Sequence, residues 1–169
     1  MDHYLKKEIT YSFGKRELRF DVGNTLFSTF QIDRGTDMLL RAIDYSNPKT
    51  ILDIGCGYGP IGSALASKYP QAQVTMVDRD LLAVRYTEHN IAKNKIDNAR
   101  ALGSIGIEQV GDETFDLIVS NIPAKIGDEA ITREFVLDPY GHLTPGGELW
   151  VVVVSGLNRL VPKIGRQHQ

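Results

Sequence analysis

A glycine-rich segment, DIGCGYGPIG at residues 53–62, follows a short apolar run and fits two kinds of cofactor site. The spacing Gly55-x-Gly57-x-Gly59 is typical of a strand that turns into a helix beneath a nucleoside cofactor. The spacing Gly57-x-Gly59-x-x-Gly62 is associated with loops that bind a dinucleotide pyrophosphate. Both sites need glycine because a side chain would collide with the ligand or with the required backbone angles. The first interpretation predicts methyl transfer, and the second predicts hydride transfer.

Two carboxylates flank this segment and bear differently on that choice. Asp78 ends the next apolar run, where a carboxylate can accept hydrogen bonds from both ribose hydroxyls of a nucleoside cofactor. Alternatively, Asp78 caps the following helix and binds no ligand. Asp53 lies inside the apolar run before the glycines, where its charge would repel a pyrophosphate, which prefers bare amides and a helix N-terminus. An acid there suits the ammonium and sulfonium groups of S-adenosylmethionine, so Asp53 favours methyl transfer.

The elements that position these residues alternate between short apolar strands and helices from Thr50 onward. The pattern predicts strands at TILDI, QVTMVD, 99–102, FDLIVS and the run ending in LWVVVV, and helices at 60–68, about 80–94 and about 128–140. Near-continuous apolar strands separated by helices indicate an α/β fold with a doubly wound, mostly parallel sheet covered on both faces. Such sheets bind ligands beyond the carboxyl ends of their strands, where the glycine segment lies.

The segment SNIPAKIG, residues 120–127, directly follows the fourth strand of this predicted sheet and so lies beside the same cleft. Hydride transfer by a dehydrogenase does not require such a segment, and no acid or base suited to hydride transfer is near it. Its position therefore also favours methyl transfer, with an ordinary strand-ending turn as the structural alternative.

A different pattern precedes this core. Residues 8–22 alternate apolar and polar side chains around a glycine turn, which predicts a hairpin, and Asp33 can cap a following helix. We expect one domain over residues 1–169, in which 1–47 form a hairpin and helix cap over the cleft and 48–169 form the cofactor-binding core.

The composition is that of an ordinary globular protein, with a net charge of -2. A nucleic-acid partner would therefore depend on a local basic rim and not on overall charge. Cys56 is the only cysteine, so it cannot form an internal disulfide and is expected to be a small buried filler. The first residues have no apolar core for a signal peptide, and LWVVVV is far shorter than the roughly 20 residues of a membrane span, so we expect a cytoplasmic, soluble protein.

Three motifs together resemble the class I S-adenosylmethionine-dependent methyltransferases: ILDIGCGYG, Asp78 in VDRD, and Asn-x-Pro after FDLIVS. The upstream LFSTFQIDRGTDMLL is similar to the Phe-Ser…Asp-x-Gly-Thr stretch of the small-subunit ribosomal RNA guanine-N2 methyltransferase family and its short relatives. The resemblance runs from the hairpin to LTPGGELWVVV. It implies S-adenosylmethionine as the cofactor, ribosomal RNA as the substrate, a guanine exocyclic amine as the methyl acceptor, and no metal.

The resemblance also implies which residues hold the cofactor. These are Asp53, Gly55, Gly57, Gly59, Asp78, Arg79, Ser104, Gly35 and Thr36. Asp53 would lie near the methionine ammonium, and residues 33–36 would close the methionine end. Many class I members carry an acid after the third strand to bind the adenine amine, and this chain has Ser104 there instead.

The acceptor motif of the family is Asn-Pro-Pro-x, and here it is Asn121-Ile122-Pro123-Ala124. In the family, the Asn side-chain oxygen and the carbonyl of the next residue accept hydrogen bonds from the target amine, which aims its lone pair at the methyl group. Pro123 still biases Ile122 toward an extended conformation, although the first proline is missing. Ala124 stands where relatives carry a ring that stacks on the target base, and Phe27 is the candidate substitute.

Besides the dinucleotide interpretation, two alternatives stay open at this point. The altered acceptor motif and the few residues after Val154 fit a cofactor-binding homologue with lost or altered catalysis. N-methylation of a protein glutamine or a small molecule is the other alternative. The family usually ends with an antiparallel strand pair, which we expect to be missing here, with the sheet edge open or covered by a partner. The sequence leaves the nucleotide, the RNA and the oligomeric state undetermined.

Overall fold

The computed structural model describes residues 5–23, 31–123, 125–153 and 159–167. Its first element is an antiparallel hairpin. Its strands are β1 (Leu5–Phe13) and β2 (Arg16–Gly23). Alternation along the hairpin gives it one buried face, on which Ile9 and Phe20 are almost fully enclosed. The predicted hairpin is confirmed.

Five parallel strands form the central sheet: β3 (Thr50–Ile54), β4 (Gln73–Asp78), β5 (Ala99–Gly103), β6 (Phe115–Asn121) and β7 (Leu143–Val152). Their order is β5-β4-β3-β6-β7, and every neighbouring pair is parallel. The order reverses between β3 and β6, which is where such sheets open a ligand cleft. This confirms the doubly wound parallel sheet, and within the described residues no antiparallel pair follows β7.

Helices cover both faces of this sheet. They are α1 (Arg34–Ala42), α2 (Pro60–Lys68), α3 (Leu81–Lys93), α4 (Asp128–Thr132), α5 (Asp138–Tyr140) and α6 (Leu160–Gln167). A π-helical turn, Arg133–Leu137, connects α4 to α5, and Glu108–Val110 form a short 3-10 turn. The helices predicted at 60–68 and 80–94 and the helical stretch at 128–140 are confirmed. None of the helices in the described part of the chain is long and apolar enough to span a bilayer.

The core has one cluster on each face of the sheet. Ile51 on β3 belongs to the cluster shared with α1, α2, α3 and the hairpin. Its neighbour Leu52 belongs to the cluster shared with the 131–135 helical segment and α6. Because both faces of β3 are covered, successive side chains are equally buried, which explains why the strands appear in the sequence as continuous apolar runs.

The hairpin packs against α2, α3 and the glycine turn between β3 and α2. The ring of Phe20 meets the ring of Tyr58 edge to face, with centroids 5.7 Å apart. The buried Asp21 carboxylate accepts hydrogen bonds from Lys93 Nζ at 2.5 Å and pairs with His89 Nε2 at 2.6 Å on α3. The role of residues 1–47 as a cap over the cleft stays a prediction.

Candidate active site

The turn from β3 into α2 depends on three glycines with left-handed backbone angles. The φ angles of Gly55, Gly57 and Gly59 are 72°, 59° and 88°. The N–H groups of Gly55 and Cys56 both donate to the Val77 carbonyl, at 2.8 and 3.0 Å, so the turn folds onto the end of β4. Residues with a Cβ rarely adopt such angles, which is why the sequence has glycine at every second position here.

Only one of these glycines borders open space. A Cβ at Gly57 would meet nothing within 4 Å, whereas one at Gly59 would lie 2.9 Å from Thr87 Cγ2. At Gly62 a Cβ would overlap the Met76 side chain and lie 3.1 Å from Asp53 Oδ2. Gly62 is therefore explained by the close packing of α2 on the sheet, and the loop surface available to a ligand is at Gly57.

Asp78 joins the end of β4 to this loop. Its Oδ2 accepts from the Gly57 N–H at 2.9 Å, and its Oδ1 accepts from the Asp80 N–H at 2.9 Å. The cap of α3 is Asp80 itself, which accepts from the Leu82 N–H at 2.9 Å. Each carboxylate oxygen of the half-buried Asp78 can accept a further hydrogen bond, so its loop contacts leave capacity for a ligand hydroxyl.

Asp53 lies beneath the loop, with its side chain completely buried. Its Oδ2 accepts from the Gly62 N–H at 2.8 Å, while Oδ1 has no hydrogen-bond partner among the described residues. Burial raises the pKa of Asp53 to about 7, with a smaller contribution from the nearby charge of Asp78. The carboxyl group is therefore shielded from direct contact with a ligand in the cleft.

We expect Asp53→Asn to stabilise the folded protein above neutral pH. A folded-state pKa raised to about 7 means that the carboxyl contributes its full stability at acid pH and loses it as the pH rises through about 7. Asparagine keeps the acceptor for Gly62 and removes the buried charge. The charge costs about 1.4 kcal/mol per unit of pKa shift, and an unpaired amide N–H costs about 1–3 kcal/mol, so the net gain at about pH 8 should be about 1–3 kcal/mol.

Urea unfolding at several pH values measures this effect. The stability advantage of the variant should disappear as the pH falls to about 3, below the ordinary carboxyl pKa of 3.8, where the carboxyl is protonated in both the folded and the unfolded state. Asp97→Asn is the control, because it removes one exposed carboxylate without a buried site. A variant that is less stable than the original chain at about pH 8 would contradict the assignment of a buried charge.

Two buried polar residues on α3 hold the loop from behind. Thr87 Oγ1 donates to the Gly57 carbonyl at 2.8 Å, and Asn90 Nδ2 donates to the Tyr58 carbonyl at 2.9 Å. Asn90 also binds both backbone groups of Asp21 on β2, at 2.8 and 3.1 Å. The sequence interpretation missed both residues; polar side chains three apart on the buried face of an amphipathic helix were the available signal.

We expect Asn90→Ala to loosen the glycine loop and to lower the free energy of unfolding by about 2–4 kcal/mol, because it leaves buried backbone groups unpaired. Amide hydrogen exchange should accelerate at Gly57 and Gly59. Asn94→Ala is a matched control, since Asn94 binds both backbone groups of Arg19 on β2, each at 2.8 Å, without touching the loop. Equal exchange at the glycines in both variants would contradict the role of Asn90.

The far wall of the cleft is formed by the π-helical turn. Arg79 Nη2 lies 3.1 and 3.2 Å from the two carboxylate oxygens of Glu134, and a Cβ at Gly55 would lie 3.4 Å from the Phe135 ring. Ser104 is buried beside Asp78, to whose carbonyl its N–H donates at 2.9 Å, and its Oγ accepts from the Gln109 N–H. Two of the predicted cofactor-binding residues, Arg79 and Ser104, thus lie at one end of the cleft.

The acceptor motif lies at the other end, where β6 meets the start of α1. Asn121 Nδ2 donates to Asp33 Oδ2 at 2.7 Å and to Thr36 Oγ1 at 3.2 Å. Asp33 caps α1 by accepting from the Thr36 N–H at 3.2 Å, and a Cβ at Gly35 would lie 3.0 Å from the same carboxylate oxygen. The structure therefore brings the upstream Asp-x-Gly-Thr together with Asn121.

The rest of the acceptor motif follows the end of β6. Ile122 has a buried side chain, and its N–H donates to the Val152 carbonyl at 3.0 Å, so the chain stays tied to β7 just after β6 ends. Pro123 follows it and is half-buried. Phe27 and Ala124 lie outside the described residues, and their substrate-binding roles stay predictions.

Comparison with known proteins gives a family match over most of the chain. The family model of the methyltransferase small domain matches residues 17–161 of this chain. A Pasteurella multocida ribosomal RNA small subunit methyltransferase C is 37% identical over 130 residues, which are 75% of this chain and 39% of the relative. The uncharacterized protein YbxB of Bacillus subtilis is 32% identical over 148 residues, or 85% of this chain and 73% of that protein.

Solved structures agree with these matches. A Thermus thermophilus 16S rRNA N2 methyltransferase, solved with AdoMet and guanosine, superposes with a TM-score of 0.82 at 26% identity and covers 94% of this chain and 45% of that one. A Pyrococcus furiosus methyltransferase shares the fold with a TM-score of 0.68 at 24% identity, covering 88% and 77%. This chain spans about two-fifths of the length of the ribosomal RNA methyltransferases it matches.

Proposed function

Because this chain belongs to the methyltransferase small domain family, we propose that it transfers a methyl group from S-adenosylmethionine to the exocyclic amine of a guanine in ribosomal RNA. The observation that carries the proposal is the orientation of Asn121, whose amide N–H groups are bound within the protein. Its oxygen is left available to an amine in the cleft. S-adenosylmethionine, when bound, supplies an electrophilic methyl group on a positively charged sulfur.

The residues of the loop fit the cofactor. Gly57 has open space where a side chain would stand, and Asp78 has acceptor capacity left for the ribose hydroxyls. Gly55 and Gly59 shape the loop through their left-handed angles. Above its pKa of about 7 the buried Asp53 would carry a negative charge, which favours the cation across the loop without contact.

The two ends of the cleft would hold the two ends of the cofactor. Arg79 and Ser104, beside Asp78, would flank the adenine, with backbone groups of that turn supplying the polar contacts. Gly35 and Thr36, in the first turn of α1, would face the methionine carboxylate, because the N-terminus of a helix favours a negative charge.

Asn121 and Ile122 would position the target amine. The lone pair of a guanine amine is delocalised into the ring, so the amine is a poor nucleophile unless it is held. Asn121 Oδ1 and the Ile122 carbonyl would each accept a hydrogen bond from one N–H of the amine, which leaves its lone pair aimed at the methyl group. Pro123 would restrict the backbone at Ile122. Alignment of this kind lowers a reaction barrier by roughly 7–11 kcal/mol in favourable cases.

Similarity to ribosomal RNA small subunit methyltransferases supports ribosomal RNA as the substrate class. A target guanine inside a duplex would have to be flipped out of its stack to reach Asn121. The cytoplasm, where ribosomal RNA is found, is the compartment we propose for this reaction. Phe27 and Ala124, which lie outside the described residues, are the residues we propose for contact with the base.

Transfer of labelled methyl from S-adenosylmethionine tests the proposal. We expect label in ribosomal RNA and not in protein, and we expect Asn121→Ala to lower kcat at least roughly 100-fold, since misplaced reactants lose about that much. Affinity for S-adenosylhomocysteine, measured by calorimetry, should stay within about twofold because Asn121 would hold the acceptor and not the cofactor. Asn94→Ala, which changes an asparagine on the hairpin side of α3, is the control and should retain transfer.

Other outcomes would replace the proposal with a specific alternative. Label found only in protein would favour the alternative of protein N-methylation. Tight binding of S-adenosylhomocysteine without transfer to any pool would indicate a homologue with lost catalysis. Full activity of Asn121→Ala would contradict the acceptor geometry itself.

A further inference from the structure

The amide of Asn121 is held on its nitrogen side by two groups from α1. Nδ2 donates to Asp33 Oδ2 at 2.7 Å and to Thr36 Oγ1 at 3.2 Å. An amide nitrogen has two N–H bonds, so these two acceptors use its full donor capacity. The Oδ1 atom makes no hydrogen bond with any residue that the structure describes.

The opposite orientation of this amide is excluded by charge. Turning the group over would place Oδ1 about where Nδ2 now lies, 2.7 Å from a carboxylate oxygen. Two acceptor oxygens at that separation repel each other, whereas an N–H facing a carboxylate forms a charge-assisted hydrogen bond. From this contact we infer that Asp33 is a positioning residue: it locks the Asn121 amide with its oxygen turned toward the methyl acceptor.

Asp33 is itself held in place before any substrate arrives. It is the N-terminal cap of α1, where its carboxylate accepts from the Thr36 N–H at 3.2 Å and is stabilised by the helix dipole. Gly35 leaves just enough room, since a Cβ there would lie 3.0 Å from Asp33 Oδ2. The hydrogen bond between Asp33 and Asn121, called the lock below, therefore requires no rearrangement when the methyl acceptor binds. A hydrogen-bonding group helps catalysis most under this condition.

The lock has a consequence for the choice of methyl acceptor. A fixed, unpaired oxygen binds an N–H group and rejects a group that has no hydrogen to donate, because the oxygen would then be buried without a partner. Without Asp33, the amide could present its NH₂ face equally well. This inference rests on the proposed function, since it assigns the lock to the same acceptor site.

Asp33→Ser separates the lock from the cap. Serine is a good helix cap, so α1 should keep its start, but its side chain is too short to reach Asn121. We expect kcat for guanine methylation at saturating cofactor to fall roughly 10- to 100-fold. In an Asn121→Ala background the same change should cost nothing further, because Asp33 acts only through Asn121. Asp37→Ser is the matched control: Asp37 binds Tyr11 and Arg41 from the same helix turn, so transfer should be retained.

A second readout is independent of activity. The side-chain amide resonances of Asn121, assigned by their loss in Asn121→Ala, should be shifted and slow to exchange in the original chain and in Asp37→Ser. In Asp33→Ser the resonance of the N–H that faced Asp33 should move toward the value of a free amide. Unchanged Asn121 resonances in Asp33→Ser, or an equal loss of kcat with and without Asn121, would overturn the inference. If the resonances respond as expected but the original chain methylates no guanine, the lock stands and the proposed function fails.

Discussion

The parallel register of β3 and β6 is the constraint on which the site depends. Asp53 on β3 pairs with Val119 on β6, so the glycine turn and Asn121 emerge side by side at the same edge of the sheet. The strand order reverses between these two strands, which leaves the cleft uncovered there. A cofactor loop and an acceptor motif that lie far apart in the sequence are thereby brought together by backbone hydrogen bonds alone, before any side chain contributes.

Side chains from outside the sheet then make this arrangement rigid. On one side, Thr87 and Asn90 tie the glycine loop to α3, and Asn90 ties the same helix to the hairpin. On the other side, Asp33 ties the start of α1 to Asn121. The N-terminal segment therefore supports the cleft at both ends, although its hairpin lies behind the loop. Groups held in this way need little reorganisation when a reaction begins, which suits catalysis by alignment.

The sequence predicted the strands, the order of elements and the loop well because each depends on local pattern. Gly55, Gly57 and Gly59 all have the left-handed angles that their spacing indicated. Contacts across the fold were beyond such reasoning: the bond from Asn121 to Asp33 joins residues 88 apart, and no local signal specifies it. The resemblance to a known family placed these two segments at one cleft but gave no geometry. The catalytic and cofactor-binding roles themselves stay predictions.

Replacing the target guanine by inosine tests the central claim most directly. Inosine keeps the ring and its oxygen but lacks the exocyclic amine that Asn121 is proposed to hold. Label from S-adenosylmethionine should enter ribosomal RNA that carries guanine at the target position and should be absent when inosine stands there. Equal labelling of the two RNAs would show that the methyl group goes to another atom. The proposal that Asn121 accepts a hydrogen bond from the target amine would then be wrong.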